Sequence, residues 1–302
     1  FLEKRFDKTT RSMVSGLFLF GYVTVLLPVV LYTGSLAMIG MFDLNIPLWL
    51  VVATIGSLGS AYAIFGGLKS VAVSDTLNGV GLLVGGLAIP ALALIALGDG
   101  SFFSGLAILG NTNPEYLAVL TNTNVEGNVV SVPWPTLLTG MMFIQVFYWS
   151  TNQVSVQRAM AAKSLAEGQK GLLLAAFLKI LGPIILVLPG MIAYYYFEGG
   201  LDSSDLAYPE LVRAVLPKPL MGFFAAVLFG AILSSFNSVL NSSVTLFGID
   251  IYKQHINKEA SESVVVKYGK IFGVCLALAA MFIAPLIANA GSLFSYLQEI
   301  NG

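Results

Sequence analysis

Charge is what this sequence has least of. Only 10% of its 302 residues are Asp, Glu, Lys or Arg, against roughly 25% in an ordinary soluble domain. That leaves too little polar surface to cover a water-soluble globule of this size. A net charge of −1 gives no basic face for nucleic acid. Cys275 is the one cysteine, so no internal disulfide can form. With a single histidine beside it, no zinc site can be assembled either. That histidine, His255, lies in the polar segment 250–255 and reads as a solvated loop residue. Paired carboxylates, a Ser/His/Asp set and a phosphate-binding glycine loop are all missing, so an enzyme reading has no reactive group to rest on. The chain shows no initiator Met and no signal peptide. It stops a few residues into what reads as a new helix, and is expected to be an internal piece of a longer protein.

What is abundant is apolar. Hydrophobic residues make up 57% of the chain and the mean hydropathy is +0.85. A helix needs about 20 apolar residues to cross the hydrocarbon core. Seven runs qualify, at 12–38, 46–66, 76–98, 135–152, 171–197, 219–249 and 268–290, and another begins near 292. Loop charge supports the series. Lys4, Arg5, Lys8 and Arg11 precede the first run and Lys69 follows the second. Arg158, Lys163 and Lys170 follow the fourth, and Lys253, Lys258, Lys267 and Lys270 the sixth. The loops at 39–45 and 99–134 carry no Lys or Arg, and in 198–218 acidic residues outnumber Arg213 and Lys218. This alternation is what the positive-inside rule requires. It places residue 1 in the cytoplasm of a multi-pass protein of the plasma (inner) membrane. The expectation is one transmembrane domain over 1–302, all-α and polytopic. Gly66-Gly67 is expected to end the second span in the usual glycine manner.

Polar residues inside apolar runs are costly and call for a reason. Asp75, in Val73-Ser74-Asp75-Thr76, stands at the start of the third run, as a helix N-cap, a cation relay, or both. The fourth run is short, and its second half, Gln145 to Gln153, is rich in amides and aromatics. A short or interrupted hydrophobic segment points to a discontinuous helix at a substrate site. Gln145, Tyr148, Trp149 and Gln153 recur at helical spacing, a lining suited to a polyhydroxy solute; an interfacial aromatic belt is the plainer alternative. Lys179 lies about 13 Å up a helix from Lys170, close to mid-membrane, beside Gly182 and Pro183. The sixth run carries Ser234, Asn237, Ser238, Asn241, Ser242 and Thr245 in one stripe. Such a stripe serves a cation pathway, or merely small-residue packing with hydroxyls bonded to the preceding turn.

These stretches together resemble a known family. Residues 1–6 (FLEKRF), 65–71 (FGGLKSV), 152–171 (NQVSVQRAMAAKSLAEGQKG) and 233–252 (LSSFNSVLNSSVTLFGIDIY) are similar to the sodium:solute symporter family, on the side of its sodium/glucose–galactose cotransporter-like members. The resemblance covers essentially the whole chain. It implies a LeuT-like five-plus-five inverted-repeat core, here from about the third core helix to the start of the tenth. It implies Na+ as coupling ion, held by the carbonyl of Ala231 and the hydroxyls of Ser234 and Ser235, with Asp75 at the sodium exit. It implies solute contacts from Gln145, Tyr148, Trp149, Lys179 and Gln298. Lys179 with Gln298 favours a sugar, although Gln145 replaces the asparagine of a galactose transporter with a longer amide. Asn78 and Gly248 also depart from the family's common glutamine and threonine. The expected function is sodium-coupled symport of a small organic solute by alternating access, with membrane lipid as the other partner and no nucleic acid. Alternatives are a solute-sensing symporter-like module, a symporter of sialate, an amino acid or pantothenate, and, more remotely, a channel.

Overall fold

The computed structural model describes residues 2–112, 133–201, 203–290, 293 and 296, the side chains of 64–74 and 290 excepted. Among them there is no strand. The helices are α1 Leu2–Arg5, α2 Lys8–Gly21, α3 Leu27–Phe42, α4 Leu48–Leu97, α5 Phe102–Thr112, α6 Gly140–Thr151, α7 Gln153–Met160, α8 Leu165–Lys179, α9 Leu188–Tyr196, α10 Ala207–Val215, α11 Lys218–Leu246 and α12 Glu262–Ile283. Wide π-helical turns at Tyr22–Leu26, Pro183–Val187 and Phe247–Ile256 join or extend them.

By length and apolarity, four helical stretches among the described residues can cross a membrane: Lys8–Phe42, Asp75–Leu97, Lys218–Ile256 and Glu262–Asn289. A fifth is the pair Leu165–Lys179 and Pro183–Tyr196, bent by 43°. Proline and glycine at 182–183 account for that bend, because proline cannot donate to the ladder and its ring crowds the preceding turn. Large side chains such as Leu17, Leu77, Leu173 and Phe282 stand exposed on these helices, as suits lipid-facing surface. The second expected run appears as the shorter apolar helix Leu48–Ala63.

Three sequence expectations are corrected. Gly66 and Gly67 do not end a helix; they lie inside α4. Asp75 likewise lies inside α4 rather than at a helix start. The segment around His255 is not a loop, since Phe247–Ile256 continues α11 as π-helix.

The chain divides into two compact units, residues 1–85 with 200–302 and residues 86–199. In the first unit, α2 and α3 run antiparallel to α11 and its π-helical extension. Ser12 meets Gln254, Ser15 meets Asp250 and Gly34 packs on Ile232. One partner advances along the sequence as fast as the other retreats. Glycines allow this close approach: a Cβ at Gly34 would lie 2.7 Å from Ile232, and one at Gly81 2.7 Å from Val227. Tyr22, Leu27, Leu31, Ile232, Phe236, Leu240 and Ala280 fill the core.

Helix α4 cannot run straight through this unit. Gly59 packs on Phe236, while Asn78 packs on Gly230. The two α4 positions would be about 28 Å apart along a straight helix, but their partners on α11 are only about 9 Å apart. The axis therefore turns between Gly59 and Asn78. Asn78, Gly81 and Gly85 then meet Gly230, Val227 and Phe224 in antiparallel register.

Among the described residues, two ion pairs join distant segments. Arg11 binds Asp250, and Arg213 Nη2 lies 2.7 Å from Asp43 Oδ2. Each pair joins segments that the loop-charge alternation assigns to one side of the membrane. The second unit has its own small core of Ile89, Ala93, Leu94, Leu109, Ile192 and Ala193, with Gly86 against Ile185.

Candidate functional site

The fourth apolar run is broken at both ends. A short 3-10 turn, Trp134–Leu137, precedes α6, and Thr139 between them leaves helical geometry at φ −112°, ψ −97°. At the far end Asn152 is extended (φ −67°, ψ 122°), and its side chain accepts from Val154 N at 3.0 Å. The amide thus ends α6 and caps α7 with one residue. The run is a discontinuous helix, as its interrupted hydrophobicity suggested, and α6 carries its polar residues.

Four of the expected solute residues come together in the second unit. The Gln145 carbonyl oxygen accepts from Trp149 Nε1 at 3.1 Å and from Lys179 Nζ at 3.2 Å. The Lys179 ammonium stands 4.8 Å from the centre of the Trp149 ring, close enough for cation–π attraction. Tyr148 meets Trp149 edge-on, with centroids 5.5 Å apart and planes at 79°. Lys179 is the last residue of α8, at the bend. A kinked span thus hands its terminal lysine to a neighbouring broken helix. All four side chains lie on exposed surface of this unit. Gln153 is not part of the cluster; it donates to Gln157 at 3.4 Å on α7. Gln298 lies outside the described residues, as do Asn113 and Pro114 of the long outer loop and the side chain of Lys69.

Ala231, Ser234 and Ser235 share about one turn of α11 in the first unit. The polar stripe below them is largely self-satisfied. Ser238, Ser242, Ser243 and Thr245 each donate to the carbonyl four residues earlier, at 2.6–2.9 Å. Ordinary helix back-bonding therefore explains those hydroxyls. Ser234 and Ser235 make no such bond among the described residues. These two adjacent hydroxyls are thus not held against their own helix and can turn their oxygens toward a small hard cation. Carrying the α4–α11 register back one turn from Asn78 and Gly230 sets Asp75 level with Leu233 and Ser234. Its side chain is half-buried there. Asn237, fully buried, has neither amide atom hydrogen-bonded among the described residues.

Sequence reasoning missed the network at the foot of α2. Arg11 donates to Asp250 and to Glu3, Ser15 Oγ donates to Asp250 at 2.6 Å, and Gln254 Nε2 donates to Glu3 at 3.2 Å. His255 Nε2 lies 2.6 Å from Ser12 Oγ. The Arg11 hydrogen bond holds the Glu3 carboxyl below its ordinary range. It also missed Asp205, whose carboxylate accepts from Tyr32 at 3.1 Å and from the Leu293 N–H at 2.9 Å. Nearby, burial pushes the Tyr208 phenol up to about 12. Only the match in loop charge hinted that such segments share a side.

Comparison with known proteins agrees with this architecture. The model of the sodium:solute symporter family matches residues 1–302. The chain is 45% identical over its whole length to the uncharacterized symporter YidK of Escherichia coli K12, covering 53% of that protein. It is 33% identical to the sodium/glucose cotransporter of Vibrio parahaemolyticus, covering 58% of it. It is 30% identical to the sodium/myo-inositol cotransporter 2 of Mus musculus, covering 48%. The chain thus spans about half the length of the curated relatives it matches. In structure it is similar to a substrate-bound, outward-open Na+-coupled sialic acid symporter, with a TM-score of 0.79 and 22% identity over 95% of this chain and 60% of that one. The fold is the LeuT-like transporter fold of that neighbour. The relatives are transporters, not enzymes, in keeping with the lack of a reactive group. A fold of broken apolar helices matched from end to end by one family model leaves a single assignment: the chain is an integral, multi-pass membrane protein of the sodium:solute symporter family.

Proposed function

We propose that the protein carries out sodium-coupled symport of a small organic solute of the sugar or polyol kind, by alternating access. The observation that carries this reading is the pair of uncommitted hydroxyls at Ser234 and Ser235, within a stripe whose other hydroxyls are spent on the helix itself. Na+ prefers oxygen ligands, and these two, with the Ala231 carbonyl, supply them without added charge. Asp75, level with Ser234, gives the departing ion a carboxylate on the way to the cytoplasm. The solute is held by Gln145, Tyr148, Trp149 and Lys179, with Gln298 as a further contact implied by the family. The relatives' glucose and myo-inositol support a polyhydroxy solute. Residue 1 lies on the cytoplasmic side of the plasma (inner) membrane.

Coupling demands that Na+ bind one conformation more tightly than the other; equal affinity would move nothing. Inward Na+ movement then supplies about 2.3 kcal/mol per charge per 100 mV. Replacing Ser234 or Ser235 with Ala deletes one charge-assisted ligand. The sodium concentration for half-maximal uptake is expected to rise about ten- to a hundredfold, with helix content unchanged. The test is solute uptake by the full-length protein in proteoliposomes across a sodium titration. Unchanged sodium activation in both variants refutes the site.

A further inference from the structure

Asp205 is an acid that the sodium and solute sites leave unused. It stands in the 3-10 turn Ser204–Leu206, within the outer segment 198–218, and its own N–H donates to Ser203 Oγ at 3.2 Å. One carboxylate oxygen, Oδ2, accepts both from the Tyr32 hydroxyl at 3.1 Å and from Leu293 N at 2.9 Å. Tyr32 is buried on α3, so its hydroxyl fixes where that oxygen stands. The outer turn, α3 and the segment at Leu293 thus meet at a single atom.

That segment needs support from outside itself. Helix α12 ends at Ile283 and passes into a 3-10 run, Ala284–Ala290, which includes Pro285. Such runs seldom exceed three or four residues and often mark a hinge. Ala284 and Ile287 are fully buried and anchor its near side. Beyond it, Leu293 and Tyr296 are again helical. A helical residue whose N–H turns to a side chain stands in the first turn, where N–H groups lack an intrahelical partner. A carboxylate is favoured there, because it meets the positive end of the helix dipole. One turn on, the Tyr296 hydroxyl donates to the Thr24 carbonyl at 2.5 Å. Thr24 lies near the middle of the 35-residue stretch Lys8–Phe42, so this second bond is made close to mid-membrane.

A hinge leaves direction free, so the packing of α12 does not set where the segment after it points. The two polar bonds do. We propose that Asp205 is a positioning residue for solute binding: from the outer side it seats the helical segment of Leu293 and Tyr296, and solute affinity depends on that seat. The proposal rests on the symporter reading, in which Gln298, two residues after Tyr296 in the sequence, is a solute contact implied by the family. A contact already in place binds more tightly than one that must be ordered first.

The experiment uses the full-length protein in proteoliposomes with an inward sodium gradient, with glucose, galactose and myo-inositol as probes. Asp205→Ala removes both hydrogen bonds to the charged oxygen. The solute concentration for half-maximal uptake is expected to rise about tenfold. Maximal rate, and the sodium concentration for half-maximal uptake at saturating solute, should change less than about twofold. Asp205→Asn keeps an oxygen able to accept both bonds and should stay within about threefold of wild type. Tyr296→Phe removes the other bond and should raise the same constant, which keeps the test open if Asp205→Ala fails to fold. Arg213→Gln breaks the outer ion pair with Asp43, leaves the Asp205 bonds untouched and should keep the wild-type constant. Wild-type half-saturation in both Asp205→Ala and Tyr296→Phe overturns the proposal and leaves the symporter reading standing. A loss confined to maximal rate, or an equal rise in Arg213→Gln, marks general loosening of the outer segment and also overturns it. Sodium-driven uptake of no probe by the wild-type protein overturns the polyhydroxy-solute reading, and the proposal with it.

Discussion

Removing the Arg11 side chain beyond its stem tests the network at the foot of α2. Arg11 Nε donates to Asp250 Oδ1 at 2.9 Å, Nη2 donates to the same oxygen, and Nη1 donates to Glu3. The Arg11 and Asp250 side chains are only 24% and 15% exposed, so water could replace the lost partners only in part. In Arg11→Met, Asp250 keeps the Ser15 hydroxyl alone. Exposed pairs contribute up to about 1 kcal/mol, and breaking a fully buried pair costs about 3–5 kcal/mol. This pair lies between, so a loss of about 2 kcal/mol is expected. Asp250→Asn should cost less, because Arg11 keeps Glu3 and the new amide still accepts from Arg11. The assay is a double-mutant cycle on denaturant unfolding of the full-length protein in mixed micelles. A coupling of about 1–2 kcal/mol is expected between the two positions. A coupling below about 0.3 kcal/mol, or a larger loss in Asp250→Asn than in Arg11→Met, would refute the reasoning.

The same network gives a pH dependence at the N-terminus. Glu3 has its folded-state carboxyl lowered by the Arg11 hydrogen bond, so its contribution is present above the ordinary carboxylate range and is lost as pH falls through the lowered value. Proteolytic protection of Leu2–Arg5 should therefore hold through mildly acidic pH and fail only below that range, whereas in Arg11→Met it should be weak at every pH. Gly81→Val should disrupt the α4–α11 packing, because even its Cβ would meet Val227 at 2.7 Å; an overpacking loss of about 1–3 kcal/mol or more is expected. Gly16→Ala is the control, with nothing within 4 Å of the added carbon, and should unfold at or slightly above the wild-type temperature. Equal melting temperatures for Gly81→Val and wild type would refute the close approach.

Much of this protein was legible without coordinates. Scarce charge and long apolar runs fix a helical membrane protein, because unpaired backbone polar groups are too costly in lipid for open structures. The interrupted run at 135–152 marked the broken helix, since a polar second half cannot be an ordinary lipid-facing span. Lys179 stood out for the same reason. These signals are local in sequence and follow from the solvent. Tertiary structure alone decided which polar groups are spent. The sequence shows Ser234, Ser238 and Ser242 as equal members of one stripe, yet the helix takes up the last two and leaves the first free. It shows Gln145 as a generic amide, while donors from Trp149 and Lys179 occupy its carbonyl oxygen and leave its N–H groups to offer. It could not pair Arg11 with Asp250, nor show that Asp75 stands level with Ser234. Hydrophobic periodicity sets which segments enter the membrane; which side chains meet across hundreds of residues depends on helix register, and register exists only once the helices have packed.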